Sequence, residues 1–156
     1  MSTSHIPAGF SSVTPFVAVV RAAEALDFYA TVFGAVVTSR MDGPDGSVVH
    51  AEIDLGAGRL QLGDPSPDFG LTAPDLVGDD TTYSLAIYVP DVDATFRAAV
   101  EQGATVREEP ADFVTGDRFA SIKDPFGVRW TIMTRVEQVS DEEAQRRLDD
   151  WAESLS

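Results

Sequence analysis

The sequence predicts an α+β domain of two βαβββ repeat units, followed by a C-terminal helix. Three observations lead there. One order of elements occurs twice along the chain. In each half an apolar stripe at helical spacing follows a short β-rich run. A separate amphipathic stripe closes the sequence.

The repeat is visible residue by residue. Phe16-Val17-Ala18-Val19-Val20 falls on Leu85-Ala86-Ile87-Tyr88-Val89, and Gly34-Ala35-Val36 falls on Gly103-Ala104-Thr105. Further on, Asp54, Arg59, Leu60 and Leu62 meet Asp124, Arg129, Trp130 and Ile132. Each half opens on a strand, Phe16–Val20 or Leu85–Val89. A helix follows, because Ala22, Ala25, Leu26, Tyr29 and Phe33 form one stripe, as do Val92, Phe96, Ala99 and Val100. Gly34 and Gly103 stand where a helix end favours a left-handed residue. Three strands complete each half: 35–41, 47–54 and 59–62, then 105–108, 118–123 and 128–134. Asp42-Gly43-Pro44-Asp45-Gly46 is a turn, and Asp54–Gly58 and Asp124–Gly127 are equivalent hairpin turns.

The expected organisation is a flexible leader at 1–12, units at 13–63 and 82–134, a linker or flap at 64–81, and a helical tail at 135–156. The linker carries Pro65, Pro67, Gly70, Pro74 and Gly78 and has no periodicity. In the tail, Ser140 and Glu143 make a capping-box signature. Ala144, Leu148, Trp151 and Leu155 form a stripe that must bury on the domain or on a second chain.

Composition narrows the function. The chain has 156 residues, 44% of them hydrophobic, enough for one globular core. It has no cysteine, which excludes disulfides and thiolate metal sites. A net charge of −15 repels phosphate backbones and anionic membranes, so no nucleic acid or membrane partner is expected. The same charge would attract a cationic ligand, or serve solubility alone. No secretory signal or membrane span is recognisable, and a cytoplasmic location is the expectation.

Three stretches then carry a resemblance. Glu24-Ala25-Leu26-Asp27-Phe28-Tyr29-Ala30-Thr31-Val32-Phe33-Gly34-Ala35 makes a helix and cap. Val89-Pro90-Asp91-Val92-Asp93-Ala94 leads from strand to helix. Gly116-Asp117-Arg118 precedes Lys123-Asp124-Pro125-Phe126-Gly127-Val128-Arg129-Trp130. In order and spacing these resemble the vicinal-oxygen-chelate superfamily of glyoxalases, bleomycin resistance proteins and dioxygenases, and most of all its PhnB-like branch.

The resemblance implies a cavity on the concave faces of the sheets, helices on the convex faces, and a homodimer. It also implies divalent-metal ligands on the first and last strands of each unit. Those positions offer Thr14 or Pro15, Gln61, Ser84 and Thr131. Only Gln61 is a competent donor, and a stable centre needs three or more, so the usual metal site reads as lost and no cofactor is expected. By strand alternation Val17, Val19, Ala86, Tyr88, Arg129 and Met133 face the cavity, while Phe16 and Trp130 lie under the helices.

His50 and Glu52 share one strand face, with Val49, Ala51 and Ile53 on the other. They would sit near Gln61 as an acid–base pair or an atypical metal site, or else pair with each other or with Arg59 as a polar wall. Arg59 and Arg129 would clamp an anion or pair with nearby aspartates. Asp117-Arg118 would gate the cavity mouth or stabilise a turn. His5 receives no role.

The leading expectation is a metal-free protein that binds a small organic molecule through Val17, Val19, His50, Glu52, Gln61, Ser84, Ala86, Tyr88, Arg129, Thr131 and Met133. The alternative is a lyase, isomerase or dioxygenase with an atypical centre at His50, Glu52 and Gln61. A third is an interaction module that has kept the fold and lost the pocket.

Overall fold

The computed structural model describes residues 4–156. Of the expected leader, residues 1–3 lie outside the described residues. The elements run β1 Phe16–Ala18, α1 Ala22–Phe33, β2 Val36–Asp42, β3 Val48–Asp54, β4 Arg59–Gly63, β5 Leu85–Tyr88, α2 Val92–Glu101, β6 Thr105–Asp112, β7 Asp117–Lys123, β8 Arg129–Arg135 and α3 Asp141–Ser154. Two four-stranded sheets result, ordered β1-β4-β3-β2 and β5-β8-β7-β6. In each, the first strand pairs parallel with the last and the other pairs are antiparallel, so both sheets are mixed. The fold is α+β with two βαβββ units and a C-terminal helix, as the repeat predicts.

By internal packing the chain divides into two compact units: Met1–Asp80 with Pro125–Val128, and Thr81–Asp124 with Arg129–Ser156. In the first, α1 packs on β2 and β3. Ala22, Ala25, Leu26, Phe28, Tyr29 and Val32 are buried, as are Val17, Ala51, Ile53, Leu60 and Leu62 of the sheet. Phe28 meets Tyr29, Phe33 and Phe126 edge to face, a geometry that adds to the burial of area itself. Arg21, immediately before the helix, is left-handed at φ 58° and its side chain caps nothing. Asp64 supplies the missing acceptor, taking the Ala22 N–H at 3.1 Å and the Val48 N–H at 2.8 Å. Gly34 closes α1 at φ 67°, the left-handed conformation the sequence calls for.

In the second unit α2 packs on β6, β7 and β8. Val92, Phe96 and Ala99 are buried with Ile87, Ala120, Ile122, Trp130 and Ile132. Asp91 caps the helix by accepting the Ala94 N–H at 3.0 Å. Trp130 is 1% exposed, and its indole N–H donates to buried Asp124 at 2.9 Å, so burial leaves neither group unpaired. β6 runs four residues beyond its expected end at Glu108 and includes Pro110. It is an edge strand with two register shifts, a place where proline breaks no ladder.

The tail helix forms as expected, with Ser140 Oγ accepting the Glu143 N–H at 3.2 Å. The capping box is only half made, because the Glu143 carboxylate turns to Arg146 and Arg147 at 2.7 Å each. Trp151 meets the Phe113 ring edge to face at 5.4 Å, and Arg147 bonds Glu137 at 2.8 Å. Ala144 and Leu148 are half-buried, while Trp151 and Leu155 stay exposed.

Candidate ligand site

Pairing register decides which side chains reach the open face of each sheet. In the first unit Phe16 pairs with Gln61, Gln61 with Glu52, and Met41 with His50. Paired residues share a face, so these five lie on the side away from α1. Val17 pairs with Leu62, and Leu62 with Ala51, all fully or nearly buried under α1. Val17 and Val19, expected on the cavity side, are therefore core residues, and Phe16, expected under the helix, is on the open face. The cause is a one-residue slip in aligning the first strands: by pairing, Phe16 corresponds to Ala86, not Leu85. Such a slip inverts every side chain.

Ala51 and Ile53 are buried on the helix side as expected. Val49 is not; it is exposed, and Val48 fills the core in its place. A register shift between Met41 and Asp42 opposite this point breaks the alternation.

His50, Glu52 and Gln61 do come together. Gln61 Nε2 donates to Glu52 Oε1 at 3.2 Å, and His50 Nε2 stands 3.4 Å from the same oxygen. The Phe16 ring lies 5.8 Å from the imidazole, tilted by 31°. Phe16 and His50 line a cavity of about 410 Å³ with Met41, Asp45, Ser47, Val48 and Val49. The far wall belongs to the connection after β4: Asp64, Pro65, Ser66, Pro67, Phe69 and Leu71. That stretch is locally ordered, with a 3-10 turn at Pro67–Phe69 and reciprocal backbone hydrogen bonds between Ser66 and Leu71. Phe69 is 80% exposed on this wall. Arg59 is committed elsewhere, to Gly9 O, Thr38 Oγ1, Asp54 and the Phe10 ring.

In the second unit the expectation from alternation agrees with the register. Ala86 pairs with Thr131 and Tyr88 with Met133, while Trp130 and Ile132 point the other way into the core. Ser84 and Ala86 are exposed and Thr131 and Met133 half-buried. A smaller cavity of about 260 Å³ is lined by Phe113, Thr115, Asp117, Phe119 and Met133. Asp117 at its edge pairs with Arg135 at 2.9 Å and accepts from the Tyr88 hydroxyl at 3.4 Å. Arg118 faces away and forks onto Asp93 at 2.7 and 2.8 Å, tying β7 to the first turn of α2. The hydrogen bonds from Arg118 hold Asp93 below the usual carboxylate range. Ser121 Oγ and Arg129 Nε are buried without a hydrogen-bond partner, so Arg129 Nε makes no aspartate pair.

The residues do not fit the divalent metal that many such folds carry. The open-face pairs nearest the strand ends are Phe16 with Gln61 and Ala86 with Thr131, and a phenyl ring and a methyl group donate nothing. His50 and Gln61 both turn to Glu52 Oε1. Among the described residues no group of three His, Asp or Glu is placed to hold a metal ion.

Sequence reasoning missed Phe16, Met41, Phe69, Leu71, Phe113 and Phe119. Proper register from the Arg59 and Arg129 anchors would have recovered Phe16. Proline spacing marked the Phe69 segment as a flap without saying which of its side chains border the cavity.

Two mixed sheets of this order, each with one helix between its first two strands, define a glyoxalase-type fold. The chain belongs to the Glyoxalase/Bleomycin resistance protein/Dioxygenase superfamily, whose pattern matches residues 10–132. It is 36% identical over 138 residues to the Mycobacterium bovis protein Mb0911c, covering 86% of this chain and 90% of that one. In structure it resembles TioX from Micromonospora sp. ML1, with TM-score 0.61 and 22% identity over 83% of this chain and 100% of that one. A PhnB protein from Bacillus cereus gives TM-score 0.61 at 19% identity, over 80% and 99% of the two chains. Among the described residues no helix is long and apolar enough to cross a membrane.

Proposed function

We propose that this protein binds a small organic molecule in the cavity of its first unit, without the divalent metal its superfamily often uses. The observation that carries the reading is the cavity of about 410 Å³, within the range of small-molecule sites. Its wall joins apolar groups, Phe16, Met41, Phe69 and Leu71, to a few polar ones, His50, Ser47 and Ser66. Apolar area supplies affinity and the polar groups orient the ligand. The test is equilibrium dialysis against a panel of antibiotics and aromatic metabolites, followed by NMR of the Phe16 and His50 resonances. Binders that move both resonances support the reading. A panel that moves neither counts decisively against it.

A second reading has its own observation. Glu52 Oε1 faces both His50 Nε2 and the Gln61 amide, which suits a carboxylate that orients an imidazole for proton transfer. His50→Ala would then abolish turnover of a bound ligand while leaving its affinity within a few-fold. Ligand recovered unchanged from the wild-type protein rules this reading out.

We also propose a homodimer, since α3 leaves Trp151 and Leu155 exposed. Light scattering should give twice the chain mass, reduced by Leu155→Glu. A monomer at all concentrations opposes it.

A further inference from the structure

The geometry points to an organic cation, an amine or quaternary ammonium on an aromatic or aliphatic body, as the ligand of the first-unit cavity. This rests on the reading that the cavity binds a small organic molecule.

Every ionisable side chain that lines the cavity is an acid or a histidine: Asp45, Asp64 and His50. Glu52 stands directly behind His50. Among the described residues no lysine or arginine lines it. The nearest guanidinium along β2, that of Arg40, belongs to the other face of the sheet, because Arg40 pairs with buried Ala51. There it bonds Asp42 at 2.8 Å. Arg59, on the open face, is consumed by Gly9 O, Thr38 Oγ1 and Asp54. A cleft walled by one sign of charge, with low-dielectric surfaces beside it, concentrates counter-ions of the opposite sign.

The acids have distinct duties. Asp64 spends both oxygens on backbone N–H groups of Ala22 and Val48 and lies within Coulombic reach of Arg40, so it offers no contact and only a partly offset field, and Asp45 and Glu52 carry the charge argument. Asp45 accepts the Ser47 N–H at 3.1 Å and the Ser47 hydroxyl at 2.6 Å, both on Oδ1. These bonds hold its carboxyl below the ordinary value and leave Oδ2 for a ligand.

The apolar wall suits the same class. Phe16 and Phe69 contribute aromatic rings to the wall and Met41 a polarisable thioether, and aromatic rings attract ammonium groups. Among the described residues of the wall, an anionic ligand would meet Ser66 and His50 as side-chain donors, since the Ser47 hydroxyl already donates to Asp45, and it would stand beside the Asp45 carboxylate.

Three naphthalene probes of similar size test this by calorimetry at low salt: naphthylmethylammonium, naphthalenemethanol and naphthoate. The cation should bind about tenfold or more tightly than naphthoate, with a preference that shrinks as salt is added. Asp45→Asn retains the Ser47 contacts and should weaken the cation roughly two- to fivefold, a larger loss than for naphthalenemethanol. Met41→Lys, at an exposed position, should reverse the order of cation and naphthoate. If naphthalenemethanol binds but the cation has no advantage over naphthoate, the charge assignment is overturned and the cavity reading stands. If no probe binds or moves the Phe16 and His50 resonances, both fall together.

Discussion

The Asp64 carboxylate accepts the Ala22 N–H at 3.1 Å, capping α1 from the residue that follows β4. Its other oxygen takes the Val48 N–H at 2.8 Å. One side chain thus fixes the start of the helix, the start of β3 and the edge of the first-unit cavity. The second unit repeats the device in neutral form, with Thr134 Oγ1 accepting the Val92 N–H at 3.0 Å. Since Arg21 cannot cap α1, the first unit depends on Asp64 more than the second depends on Thr134, where Asp91 also caps.

Asp64→Ala should therefore cost about 2–4 kcal/mol, the size of two hydrogen bonds to a charged acceptor in a half-buried setting. Thr134→Val should cost about 1 kcal/mol. Urea unfolding measures both. Equal losses in the two variants would refute the asymmetry.

Much of the fold was legible because it rests on periodicity. The stripes from Ala22 to Phe33 and from Val92 to Ala99 mark α1 and α2, and Gly34 marks an end that only a left-handed residue makes cheaply. The site was less legible because faces depend on register. His50, Glu52 and Gln61 lie on adjacent, hairpin-linked strands, where alternation places them together. Phe16 and Val17 lie on a strand of three residues paired across the whole unit, and nothing local distinguishes their two faces. Phe69 was beyond reach, since it depends on the path of an aperiodic connection.

Trp130→Phe should be more damaging than its small change in volume suggests. It removes the donor to Asp124, which is 4% exposed, and leaves a buried carboxylate short of one partner. A loss of about 2–4 kcal/mol is expected by thermal unfolding. Asp124→Asn keeps an acceptor for the indole and should lose less. The opposite ranking would show that packing, and not the hydrogen bond, sets the cost.

Gly116 tests the join between β7 and the start of the tail. Its φ is 95°, and an added Cβ would stand 2.5 Å from the Glu137 carbonyl oxygen. Its own carbonyl accepts the Val136 and Glu137 N–H groups at 3.0 Å each, so the backbone cannot easily withdraw. Gly116→Ala should cost roughly 2 kcal/mol or more, from left-handed strain and the clash together. Gly46, also at positive φ but with open space around it, should lose only the strain portion. Chemical denaturation of the two alanine variants separates the terms, and equal losses would remove the steric part of the argument.

The tail should respond to acid before the sheets do. Hydrogen bonds from Arg146 and Arg147 pull the Glu143 carboxyl down to about 2, and Arg147 lowers Glu137 as well. A carboxylate whose pKa falls on folding stabilises the folded form above its unfolded value, near 4.3 for glutamate. That contribution is lost as pH drops through the folded value. Docking of α3 should hold at neutral pH, weaken below about pH 4 and be largely gone near pH 2. The Trp151 indole N–H resonance reports it, because that ring contacts Phe113 at 5.4 Å. Glu143→Gln should shrink the pH-dependent change, leaving the Glu137–Arg147 pair as the remaining source. A Trp151 signal that stays constant from pH 7 to 2, or that responds identically in the variant, would mean that the arginine cluster does not hold the helix in place.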